Sequence, residues 1–212
     1  MAQVLHIDAS PRSDRSHTRR LTREFIDAWL ETRPTDTVVY RDVGHHPPPH
    51  VDEAWIAAAF TPPDKLTQQM RETLKTSDDL VDELLAADIF VIGLPMYNFS
   101  VPSVFKAYID QIIRIRRTFA FDPEDKFQPY KPLVHGKRIF VIVATGDSGY
   151  ESGGRLAHLN HLDPYLRVLF GFIGVTDVTF VYIGNDEFGG ERLSQSVLQA
   201  RARISELTSI QG

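Results

Sequence analysis

Two stretches of this 212-residue sequence hold side chains whose types and spacing suit the two ends of one ligand. The first is SPRSDRSHT, Ser10 to Thr18, with hydroxyls at Ser10, Ser13, Ser16 and Thr18, the cations Arg12 and Arg15, and His17. A helical pattern follows it, so the unpaired N–H groups of a helix start add to a set that suits a phosphate dianion. The loop lacks the glycines of a dinucleotide fingerprint, and neither G-x-G-x-x-G nor G-x-x-x-x-G-K-[ST] occurs in the chain. A monophosphate held by hydroxyls is therefore favoured over a nicotinamide dinucleotide held by glycines. Taken alone, the stretch also reads as a polar loop with Ser16 as a helix N-cap.

The second is GLPMYNFSVPSVFKAYID, residues 93–110, which begins as an apolar strand and ends as an amphipathic helix. Pro95 stops the strand and frees the following backbone from a neighbouring ladder. Met96, Tyr97 and Phe99 offer flat or polarisable surface to a planar ring, and Asn98 can donate and accept. An aromatic core cluster under a loop is the competing reading. A phosphate at one loop and a planar ring at the other describe riboflavin phosphate, FMN. The cofactor would bring the redox chemistry, with the protein supplying placement and electrostatics.

The remaining composition narrows the alternatives. There are no cysteines, which excludes disulfides, thiolate nucleophiles and cysteine-ligated clusters. The formal charge of −5 argues against a general nucleic-acid binder. Arg114, Arg116 and Arg117 read as a solvated helix end. His45, His46 and His50, around three prolines, sit in a loop whose spacing matches no ligand set, so no metal site is expected. His158 and His161 read as a surface pair on one helix. No basic and apolar leader precedes the first strand, and Leu166 to Gly184 reads as a helix end plus a buried strand, not a membrane span. The expectation is a cytoplasmic protein without a membrane partner.

Five segments rich in β-branched residues, starting at Gln3, Asp36, Asp88, Arg138 and Val178, read as strands. Between them run helical patterns. One carries Met70, Leu74, Val81, Leu84 and Leu85. The clearest carries Val101, Val104, Phe105, Tyr108, Ile109 and Ile112, with Pro102 in its first turn and Ser100 as N-cap. Strand–helix alternation argues a single α/β domain over residues 1–212, a parallel sheet with helices on both faces.

DASPR…S after the first strand, PMYNFSVPSVFKAYID after the third, the pair Thr118-Phe119, and LFGFIGVTDV from Leu169 together resemble the FMN-dependent NADH:quinone oxidoreductase and azoreductase family over essentially the whole length. The resemblance implies a flavodoxin-like three-layer sandwich with strand order 2-1-3-4-5. It also implies a homodimer with one tightly bound FMN per subunit, NADH or NADPH as donor, and ping-pong reduction of quinones and azo compounds. By that likeness Ser10, Arg12, Ser16, His17 and Thr18 hold the phosphate. Pro95, Met96, Tyr97, Asn98 and Phe99 line the ring, with backbone N–H groups toward it. Thr145, Gly146, Asp147 and Ser148 lie at its pyrimidine edge, and Phe119, Phe121 and Phe172 wall the substrate space, from either subunit. The chain departs from the family in two places. It has ATGDSGYESGG where a Ser-Arg-Gly-Gly-like loop is usual, which would bring the charge of Asp147 to the flavin. Phe121 stands where a tyrosine is common. A flavodoxin-like electron carrier and a non-catalytic binding or dimerisation module are the rival readings. No general acid is expected from the residues, and the catalytic unit is the flavin itself.

Overall fold

The computed structural model describes residues 1–209. The last three residues of the expected 1–212 span lie outside the described part. In chain order the elements are β1 (Gln3–Asp8), α1 (His17–Thr32), β2 (Thr37–Asp42), α2 (Glu53–Phe60), α3 (Gln68–Ala86), β3 (Ile89–Pro95), α4 (Ser103–Ile112), β4 (Phe119–Phe121), β5 (Tyr130–Pro132), β6 (Arg138–Ala144), α5 (Leu162–Ile173), β7 (Asp177–Ile183) and α6 (Gly190–Ser209). The main sheet is parallel with order β2-β1-β3-β6-β7. Counted within that sheet it is the expected 2-1-3-4-5 order, the flavodoxin-like arrangement.

Side chains alternate across a strand, and here both faces are covered. Leu5, Ile7, Phe90, Ile92, Leu94, Ile139, Val141 and Val143 meet Leu80 and Leu84 of α3, Phe105 and Ile109 of α4, and Leu166 and Phe170 of α5. Val4, Val91, Phe140 and Ile142, one residue out of phase, meet Phe25 and Trp29 of α1 and Val197 and Ile204 of α6. A one-residue slip of any inner strand would exchange its two sets and misfit both layers.

Three expectations are corrected. Helix α4 begins at Ser103 with Pro102 at its N-cap position, so Ser100 caps nothing. Ser100 instead closes a tight turn with Tyr97, donating to and accepting from its backbone. His158 lies in a 3₁₀ turn (Ala157–Leu159) while His161 is the residue before α5, so the two do not share a helix face. Arg114 is no solvated helix end. It is 6% exposed, donates to Ser77 Oγ at 2.7 Å and pairs with Asp78 at 3.3 Å. Arg117 pairs with Asp78 and Asp82, and Arg116 reaches backbone carbonyls of residues 59–61. A helix end packed against α3 leaves no water to solvate the cation, so acids and hydroxyls of α3 replace it. The sequence reading also did not anticipate the β4–β5 hairpin. Its strands are three residues each, too short for an alternating pattern to register.

Phe105 has no exposed surface and anchors α4 to the sheet. Phe105→Ala is expected to lower unfolding free energy by about 3–5 kcal/mol in urea titrations, the cost of losing a buried ring and leaving a cavity.

Candidate functional site

In open parallel sheets the loops leaving the carboxyl ends of the strands diverge where strand order reverses, and ligand sites concentrate in the crevice between them. Four of those ends meet here. The loop after β1, the turn after β3 and the loops after β6 and β7 enclose a cleft of about 140 Å³, lined by Ser10, Arg12, Ser16, His17, Thr18, Pro95, Met96, Tyr97, Ala144, Thr145, Gly146, Asp186 and Glu187. It adjoins a second hollow of about 220 Å³, which shares Met96, Gly146 and Glu187 and adds Asn98, Phe99, Asp147 and Tyr150. Two sequence regions 80 residues apart are thus brought to one elongated site.

The inner end is built for an anion. Ser16 is the N-cap of α1, its Oγ accepting from Arg19 N at 3.3 Å and lying 3.1 Å from Thr18 Oγ1. Ser10 and Thr18 are buried at its base. Arg12 and His17 reach in from the sides. Burial lowers the affinity of His17 for a proton, Asp186 opposes that, and the cations of Arg20 and Arg12 reinforce it. The net displacement is downward. The geometry agrees: Arg20 can only donate, so His17 Nδ1, 2.9 Å from Arg20 Nη2, is the acceptor, and Nε2 carries the proton toward Asp186 at 3.2 Å.

The outer end is a strained turn. Tyr97 and Ser100 exchange backbone hydrogen bonds of 3.0 and 3.1 Å around Asn98 (φ 48°) and Phe99 (φ 69°). Two consecutive positive φ angles make a two-residue turn of the I′ kind, normally filled by Asn-Gly. Asn tolerates that region; a phenylalanine there is costly, and such outliers concentrate at functional sites. Tyr97 and Phe99 are 40% and 43% exposed, so the strain yields a presented aromatic surface and no core packing. The N–H groups of Met96 and Tyr97 are taken by the carbonyls of Ala144 and Ser100. Of the backbone donors expected from residues 96–99, the turn therefore leaves those of Asn98 and Phe99.

Asp147 does not bring a bare charge to the cleft. Its Oδ2 accepts from Arg155 at 2.6 Å and its Oδ1 from Ser148 N at 2.7 Å, and the arginine first, then the backbone donor, hold its carboxyl below the ordinary range. Ser148 is exposed and lines neither hollow. Phe119, Phe121 and Phe172 also stand outside the cleft. They form a separate aromatic group with Tyr130, with ring centroids 5.0 to 6.1 Å apart. Tyr130 faces Phe121 across the hairpin, so the phenol absent at 121 is present one strand over.

Sequence reasoning missed Asp186 and Glu187. Asp186 accepts from Arg12 Nη1 at 2.9 Å, and Glu187 covers Gly146 so closely that a Cβ there would lie 2.5 Å from its carboxyl carbon. Their signal was available: they follow the fifth strand, whose carboxyl end falls at the same edge as the other loops. Among the described residues no group of His, Asp and Glu is placed to hold a metal ion.

A family model for the flavodoxin-like fold matches residues 2–207. The chain is 50% identical over 206 residues to an FMN-dependent NADH:quinone oxidoreductase from Nostoc punctiforme, covering 97% of this chain and 98% of that one. It is 43% identical over 208 residues to an FMN-dependent NAD(P)H:quinone oxidoreductase 1 from Pseudomonas aeruginosa, covering 98% of each. The crystal structure of an azoreductase from Bacillus anthracis superposes with a TM-score of 0.85 at 25% identity, covering 98% of this chain and 99% of that one.

Because the folded His17 disfavours its proton, the native state binds fewer protons than the unfolded chain near pH 6.5. That contribution is complete above about 6.5 and is lost as pH falls. His17→Asn should therefore show a smaller drop in Tm than the parent protein between about pH 7.5 and 5.5, measured by calorimetry on flavin-free protein.

Proposed function

The chain belongs to the flavodoxin-like family of FMN-dependent NADH:quinone oxidoreductases, and from that premise we propose that its cleft holds FMN, with NADH as donor and quinones or azo compounds as acceptors. The observation that carries the assignment is the joint geometry of the two ends. A hydroxyl-lined helix start lies in the same cleft as a strained turn presenting Tyr97, Asn98 and Phe99. The residues fit the cofactor. Ser10, Ser16, Thr18 and the first N–H groups of α1 suit its phosphate. Gly146, walled by Glu187, keeps the middle of the cleft narrow and flat. Two of the acids are matched in charge, Asp186 by Arg12 and Asp147 by Arg155, and Asp186 also accepts from the neutral His17 ring; Glu187 forms no ion pair among the described residues.

When bound, FMN supplies a ring that takes hydride from the nicotinamide and passes two electrons to a quinone, or in two rounds to an azo bond. The chain's own residues bind and orient. Arg12 supplies a cation beside the phosphate. Met96 gives a polarisable floor, and Asn98 can both donate to and accept from a heterocycle edge. Tyr97 and Phe99 present an exposed aromatic surface at the mouth, which donor and acceptor would use in turn in a ping-pong cycle. No side chain is assigned as general acid.

The aromatic group of Phe119, Phe121, Tyr130 and Phe172 is proposed to complete the substrate space of a partner subunit in a homodimer. Phe121 and Tyr130 are half-exposed on the hairpin and remote from their own chain's cleft, the disposition expected of residues donated across an interface. The proposed unit is one flavodoxin-like domain of residues 1–212 with one FMN per subunit, acting in the cytoplasm in quinone detoxification. Among the described residues no helix is long and apolar enough to cross a membrane.

An absorbance spectrum from 300 to 550 nm tests the assignment. Flavin bands should bleach on anaerobic addition of NADH and return with benzoquinone; a colourless protein that takes up no added FMN contradicts it. Asn98→Gly keeps the turn, since glycine accepts its φ, and removes only the amide. It should weaken FMN binding by about tenfold, the worth of one hydrogen bond, with an unchanged Tm of the flavin-free protein.

A further inference from the structure

The phosphate-facing loop is held from behind by groups that never enter the cleft. Arg19, one turn into α1, donates from Nε (3.0 Å) and Nη2 (2.6 Å) to the carbonyl oxygen of Ser10. The same guanidinium grips Asp42 with both arms, Nη1 to Oδ2 at 2.8 Å and Nη2 to Oδ1 at 2.6 Å. Asp42 closes β2, so its position is set by the sheet. It also accepts from the backbone N of His45 at 3.0 Å, and its Oδ2 lies 2.9 Å from His45 Nδ1. The other ring nitrogen of His45 lies 3.2 Å from the carbonyl oxygen of Pro11; both partners are acceptors, so a neutral ring donates to one of the two and only a ring carrying both protons donates to both. Gly44 completes the contact: a Cβ there would fall 2.3 Å from the Ser10 oxygen.

Two successive carbonyl groups are thereby turned out of the cleft. In a trans peptide the C=O and the following N–H point in opposite directions. Drawing the Pro11 carbonyl back toward His45 turns the N–H of Arg12 the other way, and it donates to Ser10 Oγ at 3.2 Å. Carbonyl oxygens carry partial negative charge, so the same loop with these peptides reversed would repel a phosphate dianion. Burial pushes the Asp42 carboxyl upward, but hydrogen bonds from Arg19 and His45 outweigh it and hold the group well below the usual range, which keeps the Arg19 partner ionised. Arg19 and His45 do not line the cleft; with Asp8, Ser13, Asp14 and Tyr40 they line a neighbouring depression that meets it at Ser16.

We propose that Arg19, Asp42 and His45 are positioning residues that give the Ser10–Arg12 loop its preference for a phosphoryl group, so that they set how strongly the protein distinguishes FMN from riboflavin. The proposal rests on the reading of the cleft as the phosphate site. It concerns selectivity, because the ring-facing turn after β3 shares no residue with the clamp.

Flavin-free, full-length protein is titrated with FMN and with riboflavin by fluorescence quenching, for the parent and for Arg19→Ala, Arg19→Lys, His45→Ala and Ser16→Tyr. His45→Ala covers the case in which Arg19→Ala fails to fold, since the imidazole is partly exposed. Arg19→Ala should weaken FMN by about tenfold or more and His45→Ala by about threefold, corresponding to lost hydrogen bonds, with riboflavin changing less than about twofold. Arg19→Lys, which keeps a cationic donor, should recover part of the loss. Equal weakening of both flavins in the Arg19 and His45 variants overturns the proposal, because it marks general loosening. Unchanged FMN affinity in those variants, with FMN binding abolished in Ser16→Tyr, overturns the clamp and leaves the cleft assignment standing. Unchanged FMN affinity in all four variants removes the cleft assignment and the clamp together.

Discussion

Everything in this molecule depends on a parallel sheet whose two faces are both buried. A strand covered on both sides is apolar along most of its length, with His6 and Asp8 of β1 the buried exceptions, so it has little room for reactive side chains. Chemistry is confined to the loops that leave the strands. Parallel strands deliver four of those loops, after β1, β3, β6 and β7, to a single edge. The order β2-β1-β3-β6-β7 places β1 beside β3, and β3 beside β6, so the three central loops are neighbours in space although distant in sequence. The site follows from that adjacency.

The electrostatics of the edge follow a second rule. The protein carries a net charge of −5, yet it gathers hydroxyl and cationic donors at the start of α1. Three of the acids at or behind the site are paired with a cation: Asp186 with Arg12, Asp147 with Arg155, and Asp42 with Arg19. The carboxylates therefore act as anchors for the donors and not as repelling charges. His17 shows the cost of this arrangement: burial favours its neutral ring, which donates to Asp186 from Nε2, and acid works against that form. Strain is used the same way. The left-handed Phe99 costs stability, and the Tyr97–Ser100 backbone pair, the bond from His161 N to the Phe99 carbonyl and the neighbouring Tyr150 ring hold the turn in place.

The strands, the long helices and the two loops that meet at the cleft were legible in the sequence, and the strand order through the family resemblance, for different reasons. Strands and the long helices declared themselves by period, because each has one solution for which side must be dry. Ser10 to Thr18 and Pro95 to Phe99 declared themselves by composition, because neither a plain turn nor a core segment needs such a mixture. The errors lie where local pattern and packing part. Ser100 is a good N-cap by type, but Pro102 delays the helix until Ser103 and hands Ser100 to the turn. Arg114 looks like a solvated helix end until α3 closes over it.

The sequence by itself determined that the third and fourth segments are strands covered on both faces, which two loops have a composition suited to a ligand and which family the chain resembles, since these depend on residue type and on short-range period. Tertiary structure alone decided that Asp186 and Glu187 complete the cleft, that Arg155 neutralises Asp147, and that Arg19, Asp42 and His45 reach the back of the Ser10 loop. It also decided that Phe119, Phe121 and Phe172 gather around Tyr130, away from the cleft. The physical reason is range. A period reports what a residue's own element requires, whereas a charge pair or a hydrogen bond to a distant carbonyl exists only after the sheet has brought separate strand ends within about 3 Å of one another.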